Sequence, residues 1–317
     1  MSKKQKTAAY HQPKVTWKQD FKRNKYVYFI FLPVFIYFLV ISYLPMFGIS
    51  MAFQNFSIVK GYFGSEFVGL DNFVRLFTGG EFLRAFRNTL CMAGLNMTFA
   101  FAAPVIWALL ITSLKSKKYS KICQIVSYLP NFVSATVVAN LMIEFLDRDG
   151  AITLLLHNVF GLDLQNWLAN ATPPIFWIIN CAVVMWQGFG YGSIVYVAAI
   201  KNVNDDLYEA AAIDGANAWK TVTRITIPTI LPMVLTMFIL GIGTCLLAGF
   251  DKILLMYMPK TYAVSDCMYT YTYRMAFGNT PDYGLGSASG LFQSILGMTL
   301  LVISNMISRK TGKMKLF

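Results

Sequence analysis

The sequence predicts an all-α, polytopic membrane protein with six transmembrane helices. Hydrophobic residues make up 56% of its 317 residues and charged residues only 13%. Six apolar runs reach bilayer-crossing length, and the basic residues crowd into alternate connections between them. A soluble domain carries roughly a quarter charged residues, so the deficit alone moves the chain into the membrane class. The net charge of +12 would point to nucleic acid in a soluble protein. Here the basic residues flank apolar runs, where they serve as topology and headgroup anchors. Membrane lipid is therefore an expected partner and nucleic acid is not.

The elements follow in order. Residues 1–25 form a basic arm. The first run, Val27–Met51, is too long for a secretory signal and ends in Tyr43-Leu44-Pro45-Met46-Phe47, not in small residues at a cleavage site. The later runs are Thr89–Leu114, Ile122–Ile143, Ile175–Ile200, Ile230–Phe250 and Ser287–Ser308. Each has about the 20 residues a helix needs to cross the hydrocarbon core, and none holds Asp, Glu, Lys or Arg. Residues 26–308 thus form one transmembrane domain, followed by a basic tail, 309–317. Between runs, Asn72–Phe77 and Ile152–Phe160 read as short amphipathic helices at interfacial depth, either sealing the bundle or offering a docking surface.

Nineteen of the 27 basic residues lie in the arm, in the connections holding Lys115–Lys121 and Lys201–Arg224, and in the tail; eight lie on the other side. Cytoplasmic connections carry the Lys/Arg excess, which predicts both termini in the cytoplasm. The five cysteines form no close-spaced pair, and His11 and His157 have no metal-site neighbours, so neither a disulfide framework nor a zinc site is expected. No GxxxxGK[ST] loop occurs, so the chain has no such route to binding ATP. No nucleophile–base set or paired carboxylate falls in the runs, which argues against a membrane enzyme.

The most informative stretch is the connection 201–229, KNVNDDLYEAAAIDGANAWKTVTRITIPT. Asn204 or Asp205 can cap a helix with a side-chain oxygen. Leu207–Ile213 favours helix, and its alanines permit close approach by a partner. Gly215 can supply the positive φ that ends it. Asn217 can cap a second short helix, and Pro228 and Pro232 are expected to mark the return to the membrane.

This stretch resembles the coupling loop of binding-protein-dependent ABC importer permeases. Their pattern is Glu-Ala-Ala, three residues, Gly, nine residues, Ile-x-Leu-Pro. Here it stands as Glu209-Ala210-Ala211, Gly215 and Ile225-Thr226-Ile227-Pro228, with Ile227 in place of Leu. The resemblance implies the type I importer permease architecture in a bacterial plasma membrane. It implies that Glu209, Ala210, Ala211, Asp214 and Gly215 couple the chain to an ATPase. ATP and Mg would be bound by that partner, with no cofactor in this chain. The implied partners are a second, related permease, two ATP-binding subunits and an extracellular solute-binding (lipo)protein.

Further segments resemble the maltose-type carbohydrate branch: Phe67-Val68-Gly69-Leu70-Asp71-Asn72-Phe73, then Asn88-Thr89-Leu90, and Trp186-Gln187-Gly188-Phe189-Gly190-Tyr191. Tyr43-Leu44-Pro45-Met46-Phe47-Gly48, Val264-Ser265-Asp266 and Thr270-Tyr271-Thr272-Tyr273-Arg274 are similar to permeases for oligosaccharides released from complex polysaccharides. The resemblance places Gly188 and Tyr191 on the substrate path, with Asn131 as a further position. Glycine leaves room for a pyranose, and an aromatic one turn on can stack against it. The alternative for Tyr191 is a core aromatic with its hydroxyl bonded to a neighbour. The fifth run departs from that branch, carrying Gly241, Cys245 and Ala248 where Ser and Asn can stand. Two other readings compete: an ABC permease for a non-sugar solute, and a secondary transporter, which would place ionisable residues inside the spans.

Overall fold

The computed structural model describes residues 16–247 and 249–310. The first fifteen residues of the basic arm, Ala248 and the tail from Thr311 lie outside the described residues. Helix dominates because a backbone crossing lipid must satisfy its own N–H and C=O groups. The one pairing of strands joins Gln54–Asn55 to Glu66–Phe67, antiparallel and two residues each, among the described residues.

Among the described residues, those up to Ser50 form one compact unit and those from Met51 another. In the first unit, α1 (Trp17–Arg23) turns into α2 (Lys25–Phe53). Asp20 holds the corner, accepting hydrogen bonds from Asn24 Nδ2 and Tyr28 Oη, both at 2.7 Å. From Lys25 to Tyr43 no residue of α2 is buried. A helix apolar on every face is built for lipid or for another subunit.

The second unit begins with α3 (Asp71–Thr78), α4 (Gly80–Thr112), α5 (Lys117–Phe132), α6 (Ala135–Phe145) and α7 (Ala151–Phe160). It continues with α8 (Pro173–Lys201), α9 (Asp205–Ile213), α10 (residues 218–247), α11 (Phe250–Met256), α12 (Met268–Phe277) and α13 (Tyr283–Lys310). Counting α10 with α11, five helices among the described residues are long and apolar enough to cross a membrane, and the number is six if α5 and α6 form one span. The interfacial helices expected at Asn72–Phe77 and Ile152–Phe160 are α3 and α7.

Two expectations need correction. The third run is not a straight helix: α5 and α6 meet at 93°. Pro130 lies in a 3₁₀ turn, Leu129–Phe132; Val133 and Ser134 are extended; and the Ser134 side chain accepts the Val137 N–H to start α6. The carbonyl freed at Val133 accepts Gln187 Nε2 from α8 at 2.8 Å. Nor does a separate short helix precede the return to the membrane at Pro228 and Pro232, because helical backbone runs from Ala218 through both. A proline ring collides with the carbonyl four residues back. For Pro228 that residue is Arg224, inside a π turn, Val222–Thr226, whose wider coil absorbs the collision. Pro104 has the π turn Asn96–Ala100 before it, and Pro45 the turn Leu39–Tyr43.

Small residues bring the spans together. A Cβ on Gly190 of α8 would overlap the Ser127 carbonyl of α5, and one on Gly192 would lie 3.2 Å from Pro104 of α4. Trp107 Nε1 donates to Ser127 Oγ at 3.0 Å, closing the triangle of α4, α5 and α8. Backbone approach at small residues is how helices associate where lipid removes the hydrophobic drive. At the end of the bundle that carries α9, Ala108, Ile111, Tyr196, Val197, Ile200 and Ile230 form a buried cluster. Near the other end Leu76, Phe82, Ala85, Leu246, Met268 and Tyr271 form a second.

A polar knot fastens that other end. Asp266 is buried and accepts Thr270 Oγ1 at 2.5 Å and Arg274 Nη2 at 2.6 Å. Arg274 also reaches Glu81 at 3.1 Å and lies over the Tyr262 ring at 4.9 Å. Asn88 Nδ2 donates to the Asp266 carbonyl at 3.0 Å, and Thr89 Oγ1 accepts the Met268 N–H at 2.9 Å. Burial pushes the Asp266 carboxyl above the ordinary aspartate range, against the pull of Thr270 and Arg274. Val264-Ser265-Asp266 and Thr270–Arg274 are thus a structural clamp between α4 and α12.

Gly190 and Gly188 make a test of this packing. Gly190→Ala should lower the thermal stability of the purified chain by about 1–3 kcal/mol or more, since it overpacks a helix crossing. Gly188→Ala should change it little, because nothing lies within 4 Å of a Cβ there. Equal melting temperatures for the two variants would refute the packing described.

Candidate functional site

The connection between α8 and α10 is folded by local signals. Asn204 caps α9, its side chain accepting the Asp206 N–H, and Asp205 and Asp206 put negative charge in the first turn, where the helix dipole favours it. The end is a Schellman closure: Gly215 N–H bonds to the Ala212 carbonyl at 3.1 Å and Ala216 N–H to the Ala211 carbonyl at 2.9 Å. Gly215 has φ +68, a left-handed conformation that glycine adopts without penalty. Asn217 then accepts the Lys220 N–H and starts α10. The expected second short helix is therefore the first turn of a long one.

A nine-residue helix is marginal by itself, and α9 is held by what lies behind it. Ala211 is 8% exposed, Val203 is buried, and Tyr208 Oη meets Thr226 Oγ1 of α10 at 3.1 Å. Of the residues expected to couple, Ala211 faces inward, whereas Glu209, Ala210 and Asp214, with Gly215 at the turn, are exposed. Sequence reasoning also missed two exposed apolar side chains beside them, Ile213 at 86% and Trp219 at 75%. Their signal was available, since both lie in a stretch already read as surface. Leu207 is exposed as well, at 46%, so the outward residues of the connection mix apolar side chains with carboxylates.

The second group surrounds the break between α5 and α6. Gly188 opens onto free space, and Tyr191, three residues on, is 50% exposed. Within this chain Tyr191 is thus not enclosed as a core tyrosine. Asn131 lies half-buried in the 3₁₀ turn, and its neighbour Phe132 meets the Tyr191 ring edge-on with centroids 6.3 Å apart. The structure thus brings the surroundings of Asn131 and Tyr191 together, and adds Phe132. On the fifth span, Gly241 faces Met97 and Cys245 packs into the cluster around Phe82, while Ala248 lies outside the described residues. Among the described residues no group of three or more His, Cys, Asp and Glu side chains is placed to hold a metal ion.

Comparison with known proteins places residues 100–311 in the family described as binding-protein-dependent transport system inner membrane component. The chain is 35% identical over 306 residues to Protein LplB of Bacillus subtilis (strain 168), covering 96% of this chain and 94% of that one. It is 34% identical over 291 residues to the polygalacturonan/rhamnogalacturonan transport system permease protein YteP of the same organism, covering 92% and 90%. Its structure resembles a chain in the crystal structure of a bacterial alginate ABC transporter in complex with an alginate pentasaccharide-bound periplasmic protein. That match has a TM-score of 0.84 and 37% identity, covering 95% of this chain and 99% of that one.

The two alanines separate experimentally. Ala211→Trp should destabilise the fold by about 1–3 kcal/mol or more through overpacking, whereas Ala210→Trp on the open face should stay within about 0.5 kcal/mol. Thermal unfolding of the purified variants measures both; a larger loss for Ala210→Trp would reverse the facing described.

Proposed function

The chain belongs to the binding-protein-dependent transport system inner membrane components, and from that premise we propose that it is a permease half that passes an oligosaccharide inward by alternating access, driven by partner ATPases at the α9 connection. It is a transport subunit, not an enzyme. The observation that carries the coupling proposal is that Leu207, Ala210, Ile213 and Trp219 of that connection are each exposed. Exposed apolar side chains of this size on a rigid, capped turn fit a groove on another protein. Asp214 at the helix C-terminus opposes the macrodipole and so costs local stability, which fits a charge directed at a partner. Glu209 has the same use.

In this proposal ATP and its Mg sit on two ATP-binding subunits, and a second, related permease completes the pathway. An external binding protein delivers the sugar at the end that carries the polar knot. The Lys/Arg excess supports both termini in the cytoplasm. Gly188, Tyr191 and Asn131, with Phe132, line the path: an open glycine beside an exposed aromatic pair suits the apolar face of a pyranose. Relatives that import polygalacturonan, rhamnogalacturonan or alginate fragments support an oligosaccharide from a complex polysaccharide as cargo.

Two experiments test these proposals. In proteoliposomes of the assembled transporter, Ala210→Trp and Ile213→Asp should reduce substrate-stimulated ATP hydrolysis and uptake at least tenfold. Tyr191→Ala should instead raise the half-saturating sugar concentration about two- to tenfold, the worth of one aromatic contact. Full coupling in both loop variants would reject the docking face, and an unchanged Tyr191→Ala would remove it from the path. For orientation, a maleimide that cannot cross the membrane should label Thr280→Cys in intact cells and leave Asn202→Cys unlabelled; the reverse pattern would invert the topology.

A further inference from the structure

We propose that the cleft between α4, α5, α8 and the start of α10 is a binding site for the phosphate headgroup of an anionic phospholipid. The cleft encloses about 1090 Å³ where the α4 and α8 spans end, which is headgroup depth. Lys115, Lys117, Lys121 and Lys201 line it, together with the hydroxyls of Ser113, Ser120 and Thr221, and no aspartate or glutamate does. Among the described residues none of the four lysines takes part in an ion pair. The walls therefore offer ammonium donors and no carboxylate acceptor, the three hydroxyls donating instead to the Leu109, Ile111 and Asn217 carbonyls.

The local sequence shows that Lys117 is not there for the helix that carries it. Helix α5 opens with Lys117 and Lys118, has no acidic residue in its first turn, and its N-cap Ser116 makes no side-chain capping bond. Positive charge at a helix N-terminus opposes the macrodipole, so the arrangement costs stability until an anion neutralises it. General membrane anchoring does not require it, because anchoring lysines extend separately along apolar surface to dispersed headgroups. These four converge on one walled space.

The apolar surroundings select a lipid over a free anion. Leu109 and Leu114 line the same cleft. Ile122 and Ile125, on the next turns of α5, are 45% and 52% exposed. A ligand with a phosphate above and acyl chains below matches both parts, and basic pockets between transmembrane helices are a known form of headgroup recognition. Tyr208, Ala216 and Thr226 also line the cleft, so an occupying headgroup would brace the α9 connection against α5.

The test uses the full-length chain in phosphatidylcholine nanodiscs doped with phosphatidylglycerol, with bound lipid counted by native mass spectrometry. Saturable retention of phosphatidylglycerol over phosphatidylcholine is expected. Retention should fall about tenfold or more in Lys117→Ala/Lys121→Ala, given the contribution of each lysine near an anionic headgroup. Lys118→Ala/Lys220→Ala removes the same charge from the same face outside the cleft and should leave retention unchanged. Melting temperature in pure phosphatidylcholine checks the fold, and Lys117→Met/Lys121→Met, which keeps the stems, replaces the alanine pair if that temperature falls. Equal loss in the two alanine pairs would mean diffuse surface charge and overturn the site. Displacement of the lipid by inorganic phosphate at matching concentration would mean a free-anion site and overturn the lipid assignment. No preference between the two lipids would overturn the proposal altogether.

Discussion

The fold depends on one constraint: within lipid, each backbone N–H and C=O must find its partner in the protein. The long helices follow from it, and so do the departures from them. Where Pro45, Pro104 and Pro228 disturb a helix, a π turn just before the ring re-forms the hydrogen-bonding coil. Where α5 stops, the Val133 carbonyl that would be left bare accepts Gln187 from α8. The irregular points are resolved within the protein, and the largest of them, at α5–α6, is covered by a neighbouring span.

The two ends of the bundle are held by different chemistry. One end closes through a buried ion pair and hydrogen bonds among Asp266, Thr270, Arg274, Asn88 and Thr89. A buried pair gives directionality more than net stability, and removing one partner strands the other. The end with α9 closes through apolar contacts and scattered hydrogen bonds, among them Tyr208 to Thr226 and Ser120 to the Ile111 carbonyl. That end shows hydrophobic side chains to its surroundings while the other locks its polar groups inward.

Most of the fold was legible because hydropathy marks spans directly, and so was the α9 connection, because Asn204, Asn217 and Gly215 act within a few residues of themselves. Other features depend on partners far along the chain. Ala210 and Ala211 read alike in sequence, and only packing against α10 decides which is buried. The break at Val133–Ser134 left local marks in Pro130 and in Ser134 as an N-cap, but an apolar run averages over them. The bond from Gln187 joins residues 54 apart, beyond any local pattern. Asp266 and Arg274 were noticed as part of a motif, yet their burial against α4 gives them a structural part where a family resemblance alone would hint at specificity.

The bend between α5 and α6 also fixes a thickness. Helix α5 comprises 12 residues of α-helix and a four-residue 3₁₀ turn, a rise on the order of 25 Å. The hydrocarbon core is about 30 Å. In the transport role proposed, a segment that stops short and then turns aside would leave the insulating layer thinner there than in the surrounding bilayer. The mismatch is borne by the protein, next to Phe132 and Tyr191, and not by compressed lipid. For a polar solute, the width of the barrier there is set by where one helix ends.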